Sequence, residues 1–165
     1  MSITASNNLR LIKKTIGDAV SSLIGWSYVV TMNNKVEMPD GDFFLVNIIG
    51  QQRQATNEVS HETIDDVFYR KELVIAEITA QFDFIGLESQ NAAMKLEMLS
   101  RSTQLIDKGI TVLYGTEPKQ LPFEDAHKLM RERWEIELQI SFNNTFTSVA
   151  EPVETAAITV NPLPN

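Results

Sequence analysis

Acid–base or metal chemistry would have to use His61 or His127, because the chain has two histidines and no cysteine. His61 lies in Asn57-Glu-Val-Ser-His-Glu-Thr-Ile-Asp-Asp66. Ser60 is its neighbour, but adjacent residues rarely meet side chain to side chain, so no nucleophile–base pair follows. The stretch His61-Glu62-Thr63-Ile64-Asp65 resembles a degenerate helical zinc motif, which needs two ligands one turn apart on a helix. A polar run precedes it, a strand follows, and no third ligand stands out. It therefore reads as a solvated acidic loop from Ala55 to Asp66. His127, in Glu124-Asp-Ala-His-Lys beside Arg131 and Arg133, has no identifiable orienting carboxylate and reads as a surface residue.

Other chemistries find no better footing. Glu135 and Glu137 alternate on the outward side of a strand, where charge also guards against aggregation. The seven glycines are scattered outside GxxxxGK and GxGxxG frames. Phe68-Tyr69-Arg70-Lys71 pairs aromatics with cations, as a base-stacking platform would, but strand packing explains it more simply. Lack of cysteine excludes a disulfide scaffold, thiolate catalysis and Cys-ligated zinc. Neither a cofactor nor a metal is expected, and the chain reads as a non-enzyme.

Charge bears on partners. There are 14 Lys+Arg against 22 Asp+Glu, a net charge of −8. The basic residues come as isolated pairs, so a direct grip on nucleic-acid phosphates is not expected. An acidic protein can still stand beside DNA without adhering to it. No apolar run approaches the roughly 20 residues of a membrane span, and Met1–Arg10 carries no secretory h-region.

The elements that must position these residues follow from periodicity. The 165 residues fit one domain, 1–165, with about 148–165 as an extended C-terminal arm. Leu9, Ile12, Ile16, Ala19, Val20 and Leu23 recur at helical spacing, with Ser6, Asn7 or Asn8 as cap and Gly25 as stop. Gly17 inside this helix costs up to ~1 kcal/mol relative to Ala. Trp26–Met32 suits a strand, Asn33-Asn34 and Pro39–Asp42 are turns, and Phe43–Ile49 reads as a strand covered on both faces. Val74–Phe84 alternates strictly and extends back toward Val67, long enough to curve or to project as an arm. A second helix is predicted from about Gln90 to Asp107, with Ser89 as cap and Gly109 as stop. Met94 and Met98 beside its stripe are assigned to the core edge rather than to a partner groove. Ile110–Tyr114 is a short strand, Glu117–Phe123 a proline-bearing loop, and Glu124–Met130 a helical turn. Trp134–Asn143 is a strand with an apolar face and an acidic face. An edge strand around Ala156–Val160 precedes a fraying end.

This order predicts an α+β fold: a mostly antiparallel sheet with two main helices packed on one face. Long strand, acidic segment and C-terminal arm are the features that ask for a partner.

The layout resembles phage neck and tail terminator proteins. The resemblance is carried by the N-terminal amphipathic helix and by Pro39-Asp-Gly-Asp-Phe-Phe-Leu-Val-Asn-Ile48. Arg70-Lys-Glu-Leu-Val-Ile-Ala-Glu-Ile78, the helix with Asn91-Ala-Ala, and Gly109-Ile-Thr-Val112 follow in order. Arg133-Trp-Glu-Ile-Glu-Leu-Gln-Ile140 and Glu151-Pro-Val-Glu-Thr155 complete the series, so the resemblance runs from about Leu9 to Val160. It departs at Gly86-Leu-Glu-Ser89, where the glycine would be expected to run more directly into the helix.

The resemblance implies a structural virion protein in the neck, assembled in the host cytoplasm. It implies a homo-oligomeric ring, typically of six copies, that caps the head-proximal end of the tail tube and ends its polymerisation. The partners implied are further copies, the tail tube protein and a head-completion or connector protein, with DNA passing through unbound and no membrane. Glu58, His61, Glu62, Asp65 and Asp66 are the interface or lumen candidates. The alternatives are another head-completion or minor tail protein, or a small enzyme or ligand-binding domain using residues 55–66.

Overall fold

The computed structural model describes residues 5–30, 39–124 and 130–150. The chain begins with α1 (Ala5–Ile24), followed by β1 (Ser27–Val30) and β2 (Phe43–Arg53). Ile16, Ala19 and Val20 bury one face of α1, with Ile12 and Leu23 packed beside them. Gly25 ends it at φ +88°, where its N–H donates to the Ser21 carbonyl at 2.8 Å. A left-handed residue closes a helix this way, and glycine adopts it without a Cβ penalty. Ser6, Asn7 and Asn8, expected as caps, lie inside the helix, which starts at Ala5. The first turn has free N–H groups in any case, so polar residues sit there without breaking the ladder. Gly17 has a packing reason: a Cβ there would run into the Tyr28 ring.

Two long strands form the spine, β4 (Val67–Ile85) and β7 (Met130–Val149), paired antiparallel from Tyr69↔Val149 to Ile85↔Arg133. The sheet order is β1-β2-β4-β7-β5, with β5 at Thr111–Gly115. β3 (Glu58–Ile64) pairs with β4, and β6 (Lys119–Glu124) pairs with β7. Only β1–β2 is parallel among these pairings.

Even-numbered positions of β2, β4 and β7 line up in rows facing the helices: Phe44–Phe84–Trp134, Val46–Phe82–Ile136 and Ile48–Ala80–Leu138. Both helices pack on this one face, so the architecture is the expected α+β. Phe44, Phe82 and Phe84 are fully buried, with Phe44–Phe84 centroids 5.3 Å apart. Burying such a side chain stabilises the fold by about 1.5–3 kcal/mol.

Several boundaries differ from expectation. β2 is covered on both faces only over Phe43–Val46, where Val29, Phe43 and Ile85 form a small second cluster with Leu45; Ile49 is exposed. Beyond that cluster nothing described covers the far face. The second helix, α2, spans Ser89–Ser100, not Gln90–Asp107. The Ser100 and Ser102 hydroxyls donate to the Glu97 and Leu99 carbonyls at 2.6 and 2.9 Å, competing with the helical ladder. Leu105 and Ile110 then turn into the core, leaving Ile106 exposed, and Gly109 at φ +79° closes a short 3₁₀ turn. Glu88, not Ser89, occupies the cap position, and Ser89 is buried. Gly86 is set apart from the helix because it has its own task. It holds φ +141°, and a Cβ there would strike Asp42, whose carboxylate accepts the Leu87 N–H at 3.0 Å.

Glu117–Phe123 is not all loop. Lys119–Glu124 is an edge strand, where Pro122 is tolerated because an edge leaves one side without ladder bonds. The Asn33-Asn34 turn, residues 31–32 of the first strand, the middle of the predicted helical turn with His127, and the Ala156–Val160 strand lie outside the described residues.

A candidate assembly surface

Past the helices, the sheet continues as a three-stranded arm. It consists of β3, the first half of β4 and the last third of β7. β3 lies on the same side of β4 as β2, taking over where β2 stops at Arg53↔Ala76. From Val67 to Ile75 no residue of β4 is buried, whereas every even position from Ala76 to Phe84 is. Val59, Ile64, Val67, Ile75 and Val149 are exposed apolar side chains on this arm. Pairing accounts for the inner edge of β3 and for one edge of β7, which takes β5 on its other edge only as far as Ser141. Among the described residues, the outer edge of β3 and that of β7 beyond Ser141 have no strand partner.

All five predicted site residues map to this arm, but not as a loop. Glu58, His61 and Glu62 are on β3. Asp65 and Asp66, at φ +50° and +62°, form the two-residue turn that joins β3 to β4. Two consecutive positive φ values are what a type I′ hairpin turn requires, and Asp tolerates them better than most residues. Glu58 and Glu62 share one face with Leu73 and Tyr69 beside them; His61 is on the other, beside Arg70. They therefore do not converge on a point. Glu62 pairs with Lys71 at 3.3 Å, and the His61 ring stacks on Phe68 at 5.3 Å. Arg70 pairs with Glu72 at 2.9 Å, and Glu72 also accepts from Asn57 at 2.6 Å. Such exposed pairs are each worth about 0–1 kcal/mol, enough to hold local geometry. Among the described residues no group of three or more His, Cys, Asp or Glu is placed to hold a metal ion.

A second polar surface was not foreseen as a unit. On the helix-free face of the sheet, Thr79 donates to Gln139 at 3.0 Å and Gln81 donates to Glu135 at 2.5 Å. Next to them Arg133 donates twice to one oxygen of Asp83, at 3.1 and 2.9 Å. Asp83 is buried, so this charge-assisted pair anchors that face at the end of the β4–β7 pairing. Alternation in both long strands held the signal, but their pairing is needed to see it. Met94 and Met98, assigned to the core edge, are in fact exposed, at 50% and 69%. They line a groove with Pro118 and Trp134, because Ala93 and Leu96 take the inward positions of α2.

No helix among the described residues is long and apolar enough to cross a membrane. A comparison with protein families matches residues 11–164 to a family described as phage neck terminator protein. A search of curated proteins gave no match.

Proposed function

Because the chain belongs to the phage neck terminator protein family, we propose that it is a virion structural protein whose copies close into a ring at the head-proximal end of the tail tube. There it ends tube polymerisation and provides the surface that joins tail to head. The observation that carries this reading is the β3–β4–β7 arm: it projects beyond the helical layer with exposed apolar residues and strand edges lacking partners among the described residues. Edges of this kind are liabilities in a free monomer and standard means of assembly. A ring contact is heterologous, joining two different faces of the same chain, and the two edges of the arm supply two different faces. A hexamer is the expected ring. Tube protein and head-completion protein are the further partners.

Acidity suits a conduit for DNA. Glu58, Glu62, Asp65 and Asp66 are spread along β3 and its turn, and Glu77, Asp83, Glu135 and Glu137 share the helix-free face. Like charge keeps the polymer from adhering as it passes. Nothing in this account calls for catalysis.

The test is negative-stain electron microscopy of a phage lysate in which this gene alone is inactivated. Overlong or uncapped tubes beside filled, unjoined heads are expected. Tails of normal length beside unjoined heads would move the protein to head completion, and normal particles would remove it from the neck.

A further inference from the structure

Among the described residues, the outer strand edges of the sheet are of two kinds. Those of the body are blunted. β1 is four residues long. β2, beyond its pairing with β1, carries an extra residue, Ile49, where its register with β4 shifts between Ile48 and Gly50. β5 carries Leu113 where its register with β7 shifts between Val112 and Tyr114, and β6 contains Lys119 and Pro122. Short length, bulges, lysine and proline are the means by which a sheet discourages a further strand. Neither edge of the arm has any of them. β3 pairs with β4 without a register shift, as β7 does throughout. Neither Glu58–Ile64 nor residues 142–149 contain Pro, Gly or Lys. The two edges that could most readily accept a strand are therefore both on the arm.

Register names the partner. β3 and β7 both run antiparallel to β4, so they run in the same direction as each other. They also flank the same stretch of it: Glu58 and Thr145 stand either side of Leu73, and Glu62 and Val149 either side of Tyr69. Copies related only by rotation about an axis along the arm keep their strand direction and their height. The β7 edge of one copy then arrives beside the β3 edge of the next already parallel and at its level, a match that a strand of an unrelated protein has no reason to meet. Charge agrees. β3 carries Glu58, His61 and Glu62, whereas residues 142–149 have no ionisable side chain. Two β3 edges would set acidic strands against each other, and a β7 edge does not. We infer that the outer edge of β3 in one copy pairs in parallel with the outer edge of β7 in the next, joining the arms into one sheet. The inference rests on the proposed ring and specifies its contact: strand to strand, head to tail, with no arm edge left over.

The chain has no cysteine, so introduced pairs can be read directly. H61C is combined in turn with N144C, F146C and S148C, positions on one face of the β7 edge that allow for a stagger of a few residues. His61 and Ser148 stand either side of Arg70, with β4 between them. Two strand spacings hold them about 9.6 Å apart within one chain, beyond the roughly 7 Å that a disulfide can bridge. Any disulfide is therefore between chains. Particles of phage carrying each double variant are purified, oxidised and run on a non-reducing gel blotted for this chain, and melting curves of the reduced proteins confirm that they fold. A ladder of linked multiples of the chain is expected for at least one pair, several-fold stronger than the dimer band of any single variant. Dimers from H61C alone at equal strength would overturn the head-to-tail joint in favour of β3 on β3. A product linked only to another virion protein would overturn the second copy as partner. Particles that contain the chain but yield no linked product would overturn the joint and leave the ring standing. Particles without the chain would remove both.

Discussion

The same two strands, β4 and β7, run through two regions that differ in everything but backbone. In the body, β4 from Ala76 to Ile85 lies under two helices, and its inward residues are at most 3% exposed. In the arm, β4 from Val67 to Ile75 keeps an unbroken register with β7 but has no buried side chain. The arm is not polar, however. It carries β-branched and aromatic residues that favour strands and would suit a covered sheet. The difference teaches that hydrogen-bonded pairing extends a sheet, whereas a second layer is what stabilises it. The body has its second layer within the chain; in the arm no described residue supplies one, which is why the proposed assembly is placed there.

Large effects should be confined to the body. F82A removes a fully buried ring between β2 and β7 and should cost about 3–5 kcal/mol, read as a drop in thermal midpoint. The corresponding arm change, V59S, should stay within about 1 kcal/mol, because Val59 is 43% exposed. Equal losses at the two positions would erase the contrast.

D83A is the next largest. It leaves the Arg133 guanidinium without its carboxylate on the helix-free face and should cost about 1.5–3 kcal/mol, measured from the urea midpoint. D83N, which keeps an acceptor oxygen, should cost less.

A smaller effect depends on pH. The Tyr28 hydroxyl is pushed up to about 12, first by burial, then by its 2.6 Å hydrogen bond to Asp18 and the charge of that carboxylate. The folded state therefore holds this proton more tightly than the unfolded chain, whose tyrosine keeps the ordinary value of 10.0. The resulting stabilisation is complete below pH 10 and is lost as pH rises toward about 12. Y28F should flatten that part of the stability–pH curve, and an unchanged slope would assign the loss to other groups.

Smallest is the hairpin turn. D65N/D66G replaces two left-handed Asp residues with the pair a type I′ turn prefers, and should stabilise β3 by a few tenths of a kcal/mol. Slower amide exchange in β3, with the body unchanged, is the expected readout.

Much of the body was legible in the sequence. Alternation at Val74–Phe84 and Trp134–Phe142 named the inward residues, and Gly25 and Gly109 marked where helical segments close. The arm was only half legible. The length of β4 announced a projection, but Glu58–Ile64 was too polar to reveal itself as a strand, because with neither face covered its side chains need no apolar period. Asp65-Asp66 lacked the glycine that usually signals a tight turn. The end of α2 was hidden because an apolar residue at 106 fitted the stripe, while the chain instead turned to bury Leu105. The groove was missed because helical spacing alone does not say how wide a face the sheet will cover.

The most direct measurement is electron microscopy of phage carrying V59K/I64K, two charges on exposed apolar positions of the arm, together with a melting curve of the purified variant. The account predicts a melting midpoint near that of the unmodified chain and particles with unjoined heads and uncapped tubes. Normal particles in normal yield would contradict it, showing that the neck assembles without these two positions of the arm, one on each face.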